Sequence, residues 1–587
     1  MTEETHNPND IKTLALNLQS DDFETKLNAV TALKALLVQT PSDSKDFEEL
    51  VDKIVSHEIL EQLAEIIKAV TDFNLKYRAV WCFVNICCGN STHITKAIDS
   101  GILDLVSEII DKALAADTSD TQALDLAVEA IWLIGNVSGD SAEHRDACLE
   151  FDAANKIVQL VNKFPNHEKL LSNSVWTLQN LVCKKPAPFW NQISDAFKLF
   201  VTIIQNPKNE TDLIYHALWG ICYISSSYTL DVVSSGCIPN LVKFITGDEP
   251  KHILPALQTL GNLISTTRDH YTDEVLKNTE FVPTLFKLSE SPHQKIKTYA
   301  VWCISNISAG TPEQIASIID HPSYLDQING YLKADDEKIV YQASFALSNL
   351  VNRATAQQIE KLVTKNNYLD GLLEILKQPN VRMYERLAVE PIHTIMKHDT
   401  KHILAPIFKN KGLIEQMQSV HPNMGYEMRT MTNDIITKHF LNIPAPVAAS
   451  TTATTLNVPA ATLSVPQTVS SPARSPSRSP SKAKVPKVES GKKIQKATKP
   501  KKPVKKAPIR KTKTMMETLK EAKALTKGVK GRTRKSSKPA SLKKATGETP
   551  AKKDLKKAKI KRTGTMKQTL KEAKKILKQL DSAKKSK

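Results

Sequence analysis

In four places a tryptophan is followed four residues later by an asparagine: Trp81/Asn85, Trp132/Asn136, Trp176/Asn180 and Trp302/Asn306. The two side chains together suit one kind of ligand. An asparagine amide carries both donor and acceptor groups, so it can hold a peptide's main chain without reading its sequence. Neighbouring indoles form slots for long aliphatic stems, where an ammonium or guanidinium gains about 0.5–2 kcal/mol of cation–π attraction. Acids at the rim would then select Lys and Arg. Glu129, three residues before Trp132, and Asp140, eight after it, stand where such acids are needed.

The pairs need a scaffold that repeats them. On an α-helix, positions i and i+4 lie about 40° apart, so Trp81 and Asn85 share a face. Ala79, Phe83, Ile86 and Cys87 fall on other sides and can supply core. Equivalent positions occur at 81, 132, 176, 219, 258, 302 and 345, with spacings of 51, 44, 43, 39, 44 and 43 residues. A period near 43 is the size of an armadillo or HEAT unit. Apolar residues recur three and four apart, as in Ile102, Leu105, Val106 and Ile109, while Gly101, Gly139, Pro186, Gly236 and Gly310 punctuate the joins. Weaker copies begin near Asn28 and continue through Tyr384 to Tyr426.

The predicted fold is therefore all-α: an armadillo-repeat, right-handed superhelical solenoid of about nine or ten repeats over residues 11–445. A disordered N-terminus (1–10) precedes it, and a long disordered basic tail (446–587) follows. An asparagine buried without a partner costs about 1–3 kcal/mol, so the repeated amides predict an open, ligand-facing surface. Packing between layers or helix capping would explain one pair, but neither demands tryptophan at a fixed offset four times. Helices packed about 8–10 Å apart, against an extended chain advancing about 3.3 Å per residue, make successive rungs meet a bound peptide every two or three residues.

Composition narrows the class. Residues 1–450 hold 39 basic and 55 acidic residues, whereas 451–587 hold 41 and 7, so an acidic body carries a very basic tail. The eight cysteines, all in the body and without paired C-x-x-C spacing, read as small core residues of a reducing compartment. No apolar run approaches a membrane span and the polar start is not a signal peptide, which predicts a soluble intracellular protein with no membrane partner. No Walker loop, HExxH, nucleophile elbow or metal-spaced Cys/His cluster occurs, so an enzyme, a metal site and a cofactor are not expected.

The runs Ala-Val-Trp81-Cys-Phe-Val-Asn85, Ala-Ile-Trp132-Leu-Ile-Gly-Asn136-Val-Ser-Gly-Asp140 and Ser-Val-Trp176-Thr-Leu-Gln-Asn180, the last followed by Pro186-Ala-Pro188, resemble successive armadillo repeats of importin-alpha (karyopherin-alpha). The next unit, Ala-Leu-Trp219-Gly-Ile-Cys-Tyr223, has Tyr where the others have Asn, and the importin-alpha pattern makes the same change in the same repeat. The resemblance implies a nuclear import adaptor that binds Lys/Arg-rich nuclear localisation signals in extended form, in the cytoplasm and the nucleus. It implies a major site formed by Trp81, Asn85, Glu129, Trp132, Asn136, Asp140, Asn173, Trp176, Asn180, Trp219 and Tyr223. Asp140 would pair with the most deeply bound lysine. A degenerate minor site would use Gln258, Asn262, Trp302, Asn306, Phe345 and Asn349.

Departures from the pattern are uneven. His216, Tyr299 and Gln342 stand where the family usually has acids three before the rung, Phe345 replaces a Trp and Gln258 an Arg, so the minor site is expected to be weak. The family also begins with an Arg/Lys-rich importin-beta-binding segment, whereas residues 1–40 contain only Lys12, Lys26 and Lys34. Recruitment of importin-beta by that usual route is not expected.

No aromatic residue follows Phe440, and such a chain buries too little apolar area to offset its ordering entropy. Ser471, Ser475 and Ser479 each precede a proline and suit proline-directed kinases. Two segments, 509–523 and 560–574, agree at ten of fifteen positions and can each form a short basic amphipathic helix. Four roles for the tail stay open: solubility, binding of DNA or RNA phosphates, an intramolecular ligand through Lys499-Pro-Lys-Lys502 or Lys559-Ile-Lys-Arg562, and a displaced importin-beta-binding element. The alternative reading for the whole chain is an armadillo scaffold held on chromatin or another acidic polymer by its tail, recruiting basic clients.

Overall fold

The computed structural model describes residues 10–440 except 207, 366 and 400–402. These residues all fall within one compact unit. The disorder expected for the first residues, the whole tail, its Ser-Pro series and its two basic segments lie outside the described residues.

Among the described residues there are 28 α-helices, one short 3-10 turn and no strand. The chain is an all-α armadillo-repeat array. A typical unit is two shorter helices and a longer third one, as in Ser91–Asp99, Ile102–Ala115 and Thr121–Asp140. The third helices carry the rungs: Phe23–Gln39, Phe73–Ile86, Thr121–Asp140, Glu168–Val182, Thr211–Ser225, Pro250–Ile264, Gln294–Ile307, Glu337–Arg353, Val381–His398 and Tyr426–His439. Each packs on the next in order, which is how a repeat array buries faces that no unit could bury alone.

The sequence starts and stops these helices locally. Asp22, Asp72 and Asp120 each accept a hydrogen bond from the backbone N–H three residues on, at 2.8, 2.9 and 3.0 Å, satisfying an amide that the helix leaves unpaired. Between the first and second helices of several units the chain turns through the left-handed region: Glu58, Gly101, Asp152, Gly236 and Gly412 have φ of 54°, 83°, 63°, 74° and 74°. Glycine pays no Cβ penalty there, which explains the glycines seen at these joins.

Ala79, Phe83, Ile86 and Cys87 are buried, as the helical face predicts. All eight cysteines are free; six are buried, Cys183 is half-buried and Cys88 is exposed. Burial pushes the thiols of Cys82 and Cys222 up to about 12, so both are neutral core groups at physiological pH. The unit after Trp176 replaces its first helix with the Pro186 and Pro188 segment. A fully buried arginine holds it: Arg145 Nη1 donates to the Lys184 carbonyl and Nη2 to that of Pro186, both at 2.8 Å.

Candidate peptide-binding face

The rung residues form one continuous row. Trp81, Trp132, Trp176, Trp219, Gln258, Trp302 and Phe345 are each half-buried, and so are Asn85, Asn136, Asn180, Tyr223, Asn262, Asn306 and Asn349. The residue that follows each of them is buried. Period 3.6 therefore splits every rung helix into a core side and a side that keeps its indole and carboxamide partly open. The indoles are not sealed between layers.

Their position is set by the preceding helix. A Cβ added at Gly135 would lie 2.2 Å from Cζ3 of Trp176, and one at Gly261 would lie 2.1 Å from Cζ3 of Trp302. Each of these rings rests on the glycine that precedes the previous rung's asparagine. At the equivalent place before Trp81 stands Lys34, and its Nζ lies 4.2 Å from the centroid of the Trp81 ring. The first indole of the row already carries a cation, supplied by the chain itself. The position of Lys34 in a weak repeat copy, three residues past the Trp-equivalent Thr31, was the signal that could have found it.

The amides have a second task that sequence reasoning missed. Asn136 Nδ2 donates to the carbonyl of Val84 (2.8 Å), Asn180 to Gly135 (3.1 Å), Asn262 to Cys222 (3.4 Å) and Asn349 to Ser305 (3.1 Å). In every case the acceptor is the residue just before the previous rung's Asn or Tyr. One N–H of each carboxamide thus ties successive rung helices together, using the second lone pair of a helical carbonyl. The other N–H and Oδ1 are not taken by that tie. Asn85 instead donates to its own helix at Trp81 (2.8 Å), and Asn306 Nδ2 has no partner among the described residues.

Asp140 ends its rung helix and sits in a polar cluster. Ser91 Oγ donates to its Oδ1 at 2.7 Å, and His144 Nδ1 lies 2.9 Å from its Oδ2. His144 Nε2 reaches Thr95 Oγ1 at 3.1 Å. The carboxylate keeps 18% of its surface open, so it is oriented but not enclosed.

Glu129 is placed otherwise than a rim acid. It is fully buried, and its Oε1 accepts from Tyr77 Oη (2.8 Å) and Lys169 Nζ (2.7 Å) while Oε2 has no partner. Asn173, His216, Tyr299 and Gln342 at the same offset are only half-buried, so it is the Tyr77 and Lys169 side chains from the two flanking rung helices that enclose Glu129. Burial, then the Glu129 hydrogen bond and charge, push the Tyr77 phenol well up, so it stays a donor. The lysine Lys169, two turns before Trp176, partners this acid from within the chain. Asn173 is half-buried with its Nδ2 enclosed and unpartnered.

The altered positions also have defined surroundings. His216 Nδ1 meets Gln179 Oε1 at 2.6 Å, and burial lowers its pKa against the smaller opposing effect of Asp212. Trp219 and Tyr223 stack at 5.5 Å. Tyr299 sets its ring edge-on to Trp302 at 5.8 Å, and Gln342 accepts from Ser305 Oγ at 3.2 Å. Phe345 packs edge-on to Tyr341 at 4.8 Å. Between Trp219 and Tyr341 the row opens into a groove section of about 550 Å³ that also includes Gln258 and Trp302.

No family model matches the chain. It is 28% identical over 292 residues to importin subunit alpha-1b of Oryza sativa subsp. japonica, covering 49% of this chain and 50% of that one. It is 29% identical over 308 residues to importin subunit alpha-1a of the same organism (51% and 54%), and 25% identical over 295 residues to importin subunit alpha-3 of Arabidopsis thaliana (49% and 51%). The chain spans about half the length of the curated relatives it matches. Among solved structures, the crystal structure of an engineered protein superposes with a TM-score of 0.62 at 18% identity, over 73% of this chain and 99% of that one. That match concerns the fold alone. In sequence, the repeats are importin-alpha-like and divergent.

Proposed function

We propose that this protein is a nuclear import adaptor whose rung face, from Trp81 to Tyr223, holds Lys/Arg-rich nuclear localisation signals in extended form. The observation that carries this reading is the half-exposed row of indoles and carboxamides in constant register along importin-alpha-like repeats. Lys34 over Trp81 illustrates the chemistry: an alkylammonium seated on a rung indole gains cation–π attraction without a salt bridge. The free acceptor of each asparagine would receive the peptide's backbone N–H, while Asp140, held by Ser91 and His144, would take the deepest lysine.

Cargo selection would rest on Asp140 and on the exposed carboxylate of Asp125, since Glu129 is already engaged by Lys169 and Asp212 by Lys251. Cargo proteins with basic signals are the expected partners, with importin-beta as a further one at the level of the importin-alpha relatives. Such an adaptor would work in both cytoplasm and nucleus, with the tail free to meet DNA or RNA.

Calorimetric titration of the full chain with a lysine-rich peptide tests this. Binding should weaken about tenfold or more in Trp132→Ala and vanish in Asp140→Lys, because the latter adds repulsion as well as removing a partner. Absence of any basic-peptide binding, with nucleic-acid binding retained, would favour the scaffold on an acidic polymer instead.

A further inference from the structure

The rung helices change sign halfway along the array. Thr121–Asp140, Glu168–Val182 and Thr211–Ser225 hold five acids, Asp125, Glu129, Asp140, Glu168 and Asp212, and one base, Lys169. Pro250–Ile264, Gln294–Ile307 and Glu337–Arg353 hold five bases, Lys251, Lys295, Lys297, Lys338 and Arg353, and one acid, Glu337. Lys251 is paired with Asp212 and Arg353 with Asp269. Lys295 and Lys338 are exposed and form no ion pair among the described residues.

Those two lysines are placed alike. Each stands seven residues, two helical turns, before its rung, Trp302 or Phe345, so each lies on the same side of its helix as the rung. Both line the groove section between Trp219 and Tyr341. Among the residues lining this section the one carboxylate is Asp336, which caps the helix through the backbone N–H of Lys338 and Ile339 and accepts from Gln294. Its charge is held against a helix N-terminus, which leaves the two ammonium groups to set the local field. A lysine-rich strand placed here would meet like charge. An acidic strand would meet aromatic walls for its apolar residues and two cations for its carboxylates. Rung helices about 8–10 Å apart match carboxylates two or three residues apart on an extended chain.

We propose that the groove section between Trp219 and Tyr341 binds an extended acidic peptide, in which Asp or Glu alternates with apolar residues, through Lys295 and Lys338. One surface then carries two sites of opposite charge preference. This second site does not depend on whether the Trp81–Tyr223 half binds basic signals.

The test uses the full chain and a short Asp/Glu-Leu alternating peptide carrying a photo-crosslinking residue, with adducts mapped by mass spectrometry. Adducts should fall within residues 294–345, and in K295E/K338E they should drop about tenfold while any adducts on tail residues persist. The milder K295Q/K338Q should give an intermediate loss, and both variants should fold normally because the side chains are exposed. The proposal is overturned if body adducts are absent, if they survive the charge reversal, or if a lysine-rich version of the peptide labels this section equally well. Basic-peptide binding at Asp140, measured separately, reports on the other half.

Discussion

Gly135 lies so close beneath the indole of Trp176 that a Cβ at this glycine would stand 2.2 Å from the ring. The same relationship recurs between Gly261 and Trp302, at 2.1 Å. The glycine one place before a rung asparagine is thus the floor on which the next rung's tryptophan rests, and the open face of that ring depends on a missing methyl group one repeat away.

Gly135→Ala should therefore force the Trp176 ring to tilt or the two helices to part. Overpacking of this kind costs about 1–3 kcal/mol. Urea denaturation followed by tryptophan fluorescence reads the loss. Gly261→Ala should cost a similar amount, yet only Gly135→Ala should weaken a lysine-rich peptide, because Trp302 lies in the oppositely charged half.

A second consequence concerns the buried carboxylate of Glu129. Its partners are the Tyr77 hydroxyl and Lys169. Tyr77→Phe keeps the ring and removes a donor from a charge that has no access to water, a change worth about 1–3 kcal/mol. Lys169→Met removes the half-exposed cation that pairs with this carboxylate and leaves only the Tyr77 donor, so it should cost at least as much. Thermal unfolding of both variants checks the order. If Lys169→Met were harmless, the Lys169–Glu129 pair would contribute nothing to the fold.

The repeat array, its rungs and its core face were legible because each rests on local periodicity: Trp81 and Asn85 are four apart, and Ala79, Phe83 and Ile86 point the other way. What could not be read was which neighbour each side chain reaches. The tie from Asn136 to the Val84 carbonyl spans 52 residues and depends on how one helix is phased against the next. Glu129 has the offset from Trp132 that predicts a rim acid. Its burial follows from Tyr77 and Lys169 on the flanking helices, which no single-helix projection reveals. The charge reversal was written in the composition of the rung helices, with Lys251, Lys295 and Lys338 each seven residues before a rung, but that the last two are exposed along one groove section shows only in the packed array.

The joins between units offer a cleaner backbone test. Gly101 has φ of 83° and no heavy atom within 4 Å of an added Cβ, so Gly101→Ala meets no clash and isolates the left-handed backbone cost. That cost is roughly 1–2 kcal/mol. Gly101→Asn should lose less, since Asn tolerates this region, as Asp152 does at the corresponding turn. Equilibrium unfolding of the two variants side by side gives the comparison.

The most direct handle on pH is His216. Burial lowers its pKa below the ordinary 6.5, with Asp212 opposing, so the folded protein holds this imidazole neutral where the unfolded chain has begun to take up a proton. Between those two pKa values the unfolded state binds more protons, and stability must fall as the solution is acidified through that window. His321 and His393 are lowered by burial too and act with the same sign. His216→Gln removes only its own share: the loss of stability between about pH 7.5 and about pH 5.5 should be smaller in the variant than in the parent. Protonation would also put a positive charge beside Trp219 and break the pairing that suits a basic peptide, so lysine-rich peptide affinity should fall on acidification more steeply in the parent than in His216→Gln. An identical pH profile in both would mean that His216 titrates as it does in an unfolded chain.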